Sequence, residues 1–159
     1  MKDLILKIRK QTGAGIMDIK EALEATGGNE EEALKELQKK GAKIAAKRAD
    51  REVSEGTISM YVHANGKVAA MVKLGCETDF VARNSDFKEL AHDIAMQVAA
   101  TNPLAISEAD KPEGAEESDI LMNQEFIKDN SKTIRNLVEE ATAKIGEKIE
   151  IAEFKRMEI

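Results

Sequence analysis

The sequence predicts an α+β protein: an N-terminal bundle of three helices, then a three-stranded antiparallel sheet packed with two helices. Three observations carry this expectation. Apolar residues recur at helical spacing in three short runs before residue 41. The period changes to two on either side of Asn65-Gly66. A second alternating stretch begins at Ile149 and Ile151 near the C-terminus.

Leu4, Ile5 and Ile8 predict a helix over 3–11, which Thr12-Gly13-Ala14-Gly15 breaks. Ile16, Ile19, Ala22 and Leu23 predict a second helix to about Thr26. Gly27-Gly28 ends it, because glycine accepts the left-handed conformation common at helix C-termini. Asn29 stands three residues before Glu32 and offers an N-cap. Ala33, Leu34 and Leu37 then give a third helix to Lys40, stopped by Gly41, and a linking helix over about 42–50 leads onward. Three short helices bury little alone, so they are expected to form one compact bundle over residues 1–53, linking helix included.

The core domain is expected over 54–159. Ile58, Met60, Val62 and Ala64 alternate with Thr57, Ser59, Tyr61 and His63. After Asn65-Gly66, Val68, Ala70, Val72, Leu74 and Cys76 alternate with Ala69, Met71, Lys73 and Gly75. That pattern predicts a hairpin with one apolar face, taken to include Ile58, Met60 and Val62. Ser85 is the expected cap of a helix with Phe87, Leu90, Ala91, Ile94 and Val98 on one stripe, ended by Asn102-Pro103. Residues 107–119 hold six acids, one Lys and one Pro, so an exposed acidic linker is expected at about 101–119. A further helix over about 132–145, capped by Ser131, buries Ile134, Leu137, Val138, Ala141 and Ile145 and closes at Gly146. The change of phase between Ile151 and Phe154 predicts a bulge in a final strand.

Composition narrows the function. Of the 159 residues 34% are charged and 42% apolar, the balance of a globular chain, and no run approaches the roughly 18 apolar residues of a membrane span. With a single cysteine and no export signal, the cytoplasm is the expected compartment. The net charge of −6 argues against nucleic acid as the main partner. The basic run Lys39–Arg51 reads as a solvated helical face.

No catalytic constellation is legible. Gly13-Ala14-Gly15 has no preceding strand and no following Gly-Lys-Ser/Thr, so it reads as a turn and not a phosphate loop. Cys76 alternates onto the apolar face with Leu74, which makes it a structural thiol; His63 and His92 stand apart and form no zinc set. Glu30-Glu31-Glu32 opposes a helix macrodipole. The expectation is a non-enzyme without cofactor or metal, binding no nucleotide, nucleic acid or membrane.

One stretch stands out: Cys76-Glu77-Thr78-Asp79-Phe80-Val81-Ala82-Arg83-Asn84. Aromatics are 3% of the chain, so a Phe at a strand–helix junction must pack or bind. Read from the residues alone, Asp79 caps the following helix and Phe80 folds into the core. Ile16 and Met17 are adjacent, so a helix cannot aim both at one core, and one of them is expected at the surface.

This stretch resembles the translation elongation factor Ts family. So do Arg9-Lys10-Gln11-Thr12-Gly13-Ala14-Gly15-Ile16-Met17, Gln124-Glu125-Phe126-Ile127-Lys128-Asp129 and Lys144-Ile145-Gly146-Glu147. The matched blocks cover about residues 1–100 and 120–155. The resemblance implies a bundle similar to ubiquitin-associated domains. It also implies guanine-nucleotide exchange on the GTPase elongation factor Tu, with Asp79-Phe80 inserted near its magnesium site. Partner contact is carried to Arg9, Ile16, Met17, Thr78, Asp79, Phe80 and Val81. The chain departs from the family pattern in lacking a second core subdomain or inserted helical hairpin before Gln124, and in Gly75, Ile16 and Lys148. Short members restore the missing half by pairing, so a homodimer is expected. The rival reading is a non-catalytic recognition adaptor built on a helical bundle and a dimerisation sheet.

Overall fold

The computed structural model describes all 159 residues. Helices α1 (Lys2–Thr12), α2 (Ile16–Ala25) and α3 (Glu30–Lys47) close around Ile8, Ile19, Ala22, Leu23 and Ala33, a small apolar cluster of their own. Gly13 adopts φ 71° and returns its amide to the Arg9 carbonyl, which ends α1. The Asn29 side chain accepts from the Glu32 amide and starts α3.

Gly41 does not stop α3, contrary to the expectation. The helix runs on to Lys47 and absorbs the linking helix. Gly41 keeps a helical backbone, and a Cβ built there would lie 3.7 Å from the Glu139 carbonyl oxygen. A small residue at such a crossing lets two helices approach; Gly41 acts on packing, not as a terminator.

The second cluster fills the rest of the chain. Strands β1 (Glu55–Val62), β2 (Val68–Cys76) and β5 (Glu150–Glu158) form an antiparallel sheet in the order β1-β2-β5. The expected bulge is present in β5: Lys73 pairs Glu153 while Leu74 pairs Ile151, leaving Ala152 unopposed. Helix α5 (Ser85–Thr101) covers one face through Phe87, Ala91, Ile94, Ala95 and Val98. Ile134 and Val138 of α6 (Ile134–Ile145) enter the same core. The α+β architecture is thus a sheet packed with helices, joined to the bundle by the crossing of α3 and α6.

Three further expectations are corrected. Thr57 opposes Leu74 and Ile58 opposes Lys73, so Thr57, Ser59 and Tyr61 share the face of the buried Val72 and Leu74. Ile58, Met60 and Val62 therefore point away from α5, into solvent. Apolar alternation marks two faces but not which one is covered; register decides that. The caps fall elsewhere than at Ser85 and Ser131. Asn84 accepts from the Asp86 and Phe87 amides, and Thr133 with Asn136 caps α6, while Ser131 donates to Asp129. The acidic segment is anchored, not a free linker. Ala105 bridges Ile120, and both are buried with Leu121, although most of its charges face water. Buried Gln97 receives the Ile127 amide and donates to Gln124 and Glu125, tying the return of this loop to α5. The short strands β3 (Glu125–Phe126) and β4 (Asp129–Thr133), unforeseen in the sequence, follow it.

Candidate functional site

At the end of β2 the chain turns at Glu77 into α4 (Asp79–Ala82), a helix of four residues. Thr78, not Asp79, is its N-cap: the Thr78 hydroxyl accepts from the Val81 amide at 3.5 Å. Val81 and Ala82 pack against the main core. Successive helical residues step by about 100°. With Val81 and Ala82 turned inward, Phe80 is left in solvent and is 89% exposed. The residue-only expectation of a core Phe80 therefore does not hold. Asp79 pairs with Arg83 at 2.9 Å, with both side chains more than half exposed.

This turn is held from outside itself. Glu147, in the connection from α6 to β5, accepts the Glu77 amide (3.1 Å), the Thr78 amide (2.9 Å) and the Thr78 hydroxyl (2.6 Å). Glu77 reciprocates: its carboxylate accepts the Lys148 amide at 2.6 Å and pairs with Arg51 at 3.2 Å. Lys148 Nζ then donates to the Ala49 carbonyl at 2.7 Å. The Lys148 amide, and after it Arg51, hold the Glu77 carboxyl below the usual carboxylate range. None of these four partners stood among the candidate residues. The Lys144–Glu147 block was visible only as a family-like segment, and no local pattern links it to residues seventy positions away.

Arg9, Ile16 and Met17 lie on the bundle. Both Ile16 (46%) and Met17 (73%) are exposed, where only one was expected, and Arg9 is exposed on α1. The structure thus presents the candidates as two groups on different cores: Arg9, Ile16 and Met17 on the bundle, and Thr78–Val81 at the end of β2.

Cys76 is fully buried, and its thiol donates to the Thr78 carbonyl; burial, then the Glu147 carboxylate, pushes its pKa up. Between bundle and core lies a cavity of about 540 Å³ lined in part by Gly13, Leu34, Gly41, Lys132 and Glu140. Lys132 Nζ donates to Glu140 at 2.8 Å and to the Gln11 carbonyl at 3.3 Å, bridging α6 to the end of α1. No group of three or more His, Cys, Asp or Glu side chains is placed to hold a metal ion. No helix is long and apolar enough to cross a membrane.

A family model described as Elongation factor TS matches residues 1–119. The chain is 39% identical over 190 positions to Elongation factor Ts of Herpetosiphon aurantiacus, covering 99% of this chain and 96% of the relative. It is 41% identical over 188 positions to Elongation factor Ts of Thermotoga petrophila, covering 99% and 94%. A third relative, Elongation factor Ts of Oleidesulfovibrio alaskensis, is 40% identical over 189 positions, covering 98% and 96%. Each alignment is longer than the chain's 159 residues, so these relatives carry positions with no counterpart here.

Proposed function

The chain belongs to the elongation factor Ts family, and on that premise we propose that it binds elongation factor Tu and promotes release of GDP from it. The observation that carries this reading is the phenyl ring of Phe80, 89% exposed on a turn tied down by side chains from elsewhere in the fold. An apolar ring kept in water gains about 2–3 kcal/mol when it is buried in a partner. That gain favours a GTPase conformation opened enough to receive it.

In this mechanism Arg9, Ile16 and Met17 dock the bundle on the GTPase domain. Phe80 enters between its helices, and Asp79 perturbs the region beside its magnesium ion. Magnesium bridges the nucleotide phosphates, so disturbing its coordination weakens GDP binding. Asp79 is suited to change partners, because its exposed pair with Arg83 contributes little and breaks at small cost. By linkage, the factor binds nucleotide-free GTPase more tightly than the GDP form. No covalent step is involved, the chain binds no nucleotide itself, and it works in the cytoplasm.

The working unit is a homodimer. Ile58, Met60, Val62, Met71 and Met157 are exposed on the sheet face away from α5, and Met60 stands directly opposite Met71. Lys73, Glu153 and Lys155 stand on the same face, and the apolar patch beside them calls for a cover. A second copy supplies one across a two-fold axis.

The test is displacement of fluorescent GDP from purified elongation factor Tu with and without this chain. Catalytic amounts are expected to accelerate release; an unchanged release rate at saturating chain overturns the reading.

A further inference from the structure

We propose that Glu147 is a positioning residue for the Asp79-Phe80 turn, with Glu77 as its reciprocal partner; the inference rests on the exchange role proposed above. A helix of four residues cannot hold its own geometry, since isolated helices are marginal below about 12–15 residues. Something else must set the direction of Phe80. Val81 and Ala82 anchor the far side of α4, and the near side is fixed by Glu147. Its one carboxylate takes three donors from two successive residues, the Glu77 amide, the Thr78 amide and the Thr78 hydroxyl. Orienting that hydroxyl proton toward Glu147 leaves the oxygen's lone pairs free to cap Val81, so the same contact that fixes the turn also starts the helix.

The return bond makes the arrangement two-sided. Glu77 accepts the Lys148 amide, so the two connections hold each other in both directions. Arg51 and the Lys148–Ala49 bond extend the hold to the chain leaving α3. The turn carrying Phe80 is therefore referenced both to the sheet and to the segment that follows the bundle. Glu147 is half-buried, with all its carboxylate bonds made to Glu77 and Thr78. Charge-assisted bonds are the stronger kind, so losing all three, two from amides and one from a hydroxyl, frees the turn.

The experiment compares Glu147→Ala, Glu147→Asp, Glu147→Gln, Phe80→Ala and the double variant Glu147→Ala/Phe80→Ala in GDP release at saturating and subsaturating full-length chain. Glu147→Ala removes the carboxylate and Glu147→Asp withdraws it. Both are expected to lower the saturating rate by about tenfold with half-saturation little changed. Glu147→Gln keeps the length and the oxygen that takes both amides but sets an NH2 against the Thr78 hydroxyl, so its rate is expected between those of Glu147→Ala and wild type. The double variant should lose less than the sum of the two single losses, because both changes act through one turn. Should Glu147→Ala melt below the assay temperature, Glu147→Asp carries the comparison. If the wild-type chain leaves GDP release unaccelerated, the exchange reading falls; if it accelerates release and Phe80→Ala does so equally, the insertion of Phe80 and the positioning role fall together. If Phe80→Ala is slow but the Glu147 variants are not, the positioning role alone is wrong. That role is equally overturned if Glu147→Gln is no faster than Glu147→Ala, if half-saturation shifts with the rate, or if the losses add in full.

Discussion

The α-carbon of Gly41, deep in α3, faces the backbone of Glu139 in α6, and a Cβ added at Gly41 would stand 3.7 Å from the Glu139 carbonyl oxygen. This is ordinary van der Waals distance, so one methyl group fits and a branched side chain does not. Gly41→Ala is expected to stabilise the chain by about 0.5–1 kcal/mol, because helix-interior glycine is disfavoured by that amount. Gly41→Leu must push α3 and α6 apart and should cost about 2 kcal/mol or more. Thermal and urea unfolding of the two variants check both signs; a destabilised Gly41→Ala would show that the crossing of α3 and α6 does not admit even a methyl group.

Phe80→Ala should separate stability from exchange. The ring makes little contact with its own fold, so the unfolding midpoint should stay within about 1–2 °C of wild type. The rate of GDP release from elongation factor Tu at saturating factor should fall by at least about tenfold. A large drop in midpoint would place the ring in the core instead.

Lys132 and Glu140 form a salt bridge that is 9% and 18% exposed, between β4 and α6 and against the end of α1. Burial holds the Glu140 carboxyl above its usual range despite Lys132. Lys132→Met leaves that carboxylate without its partner and should cost about 3 kcal/mol at neutral pH. Adding Glu140→Leu to it should recover much of the loss. Equal destabilisation by the single and double variants would show that the pair is not what matters there.

The acid limb of stability should carry the mark of Glu77. Its folded-state pKa is depressed by the Lys148 amide and Arg51. Its contribution is therefore present above the ordinary carboxylate range and lost as pH falls through the folded value. Glu77→Gln should be less stable than wild type at neutral pH, and the gap should narrow as pH drops below about 4. Urea unfolding across that range measures it; a constant gap would mean that the ionised form is not favoured in the fold.

Met71→Asp places a charge at the centre of the exposed sheet face, opposite Met60. Sedimentation at micromolar concentration is expected to give a dimer for wild type and a monomer for the variant, with unchanged circular dichroism. A monomeric wild type would remove the case for pairing through this face.

Much of the architecture was legible in local pattern. The helical runs around Ile8, Ile19 and Leu34 appear in the fold, and so does the hairpin around Asn65-Gly66. The slip between Ile151 and Phe154 became the bulge at Ala152. The misses share a cause. At Asn84 and Thr133 the capping side chain was chosen by which oxygen reaches the free amides, a matter of a residue or two that propensity does not resolve. At Gly41 and Tyr61 the outcome depended on what lay across the gap.

The amino-acid order alone determined where the chain coils, extends and turns, because those choices answer to side-chain period and to glycine, proline and capping groups within a few residues. It also marked residues 76–84 as unusual. Only tertiary structure decided that Ile58, Met60 and Val62 face water, and that Phe80 does too. It alone brought Glu147 to Thr78 across 69 positions. The physical reason is that burial and long-range hydrogen bonds depend on strand register and on the close approach of helices, quantities set by distant segments and absent from any local window.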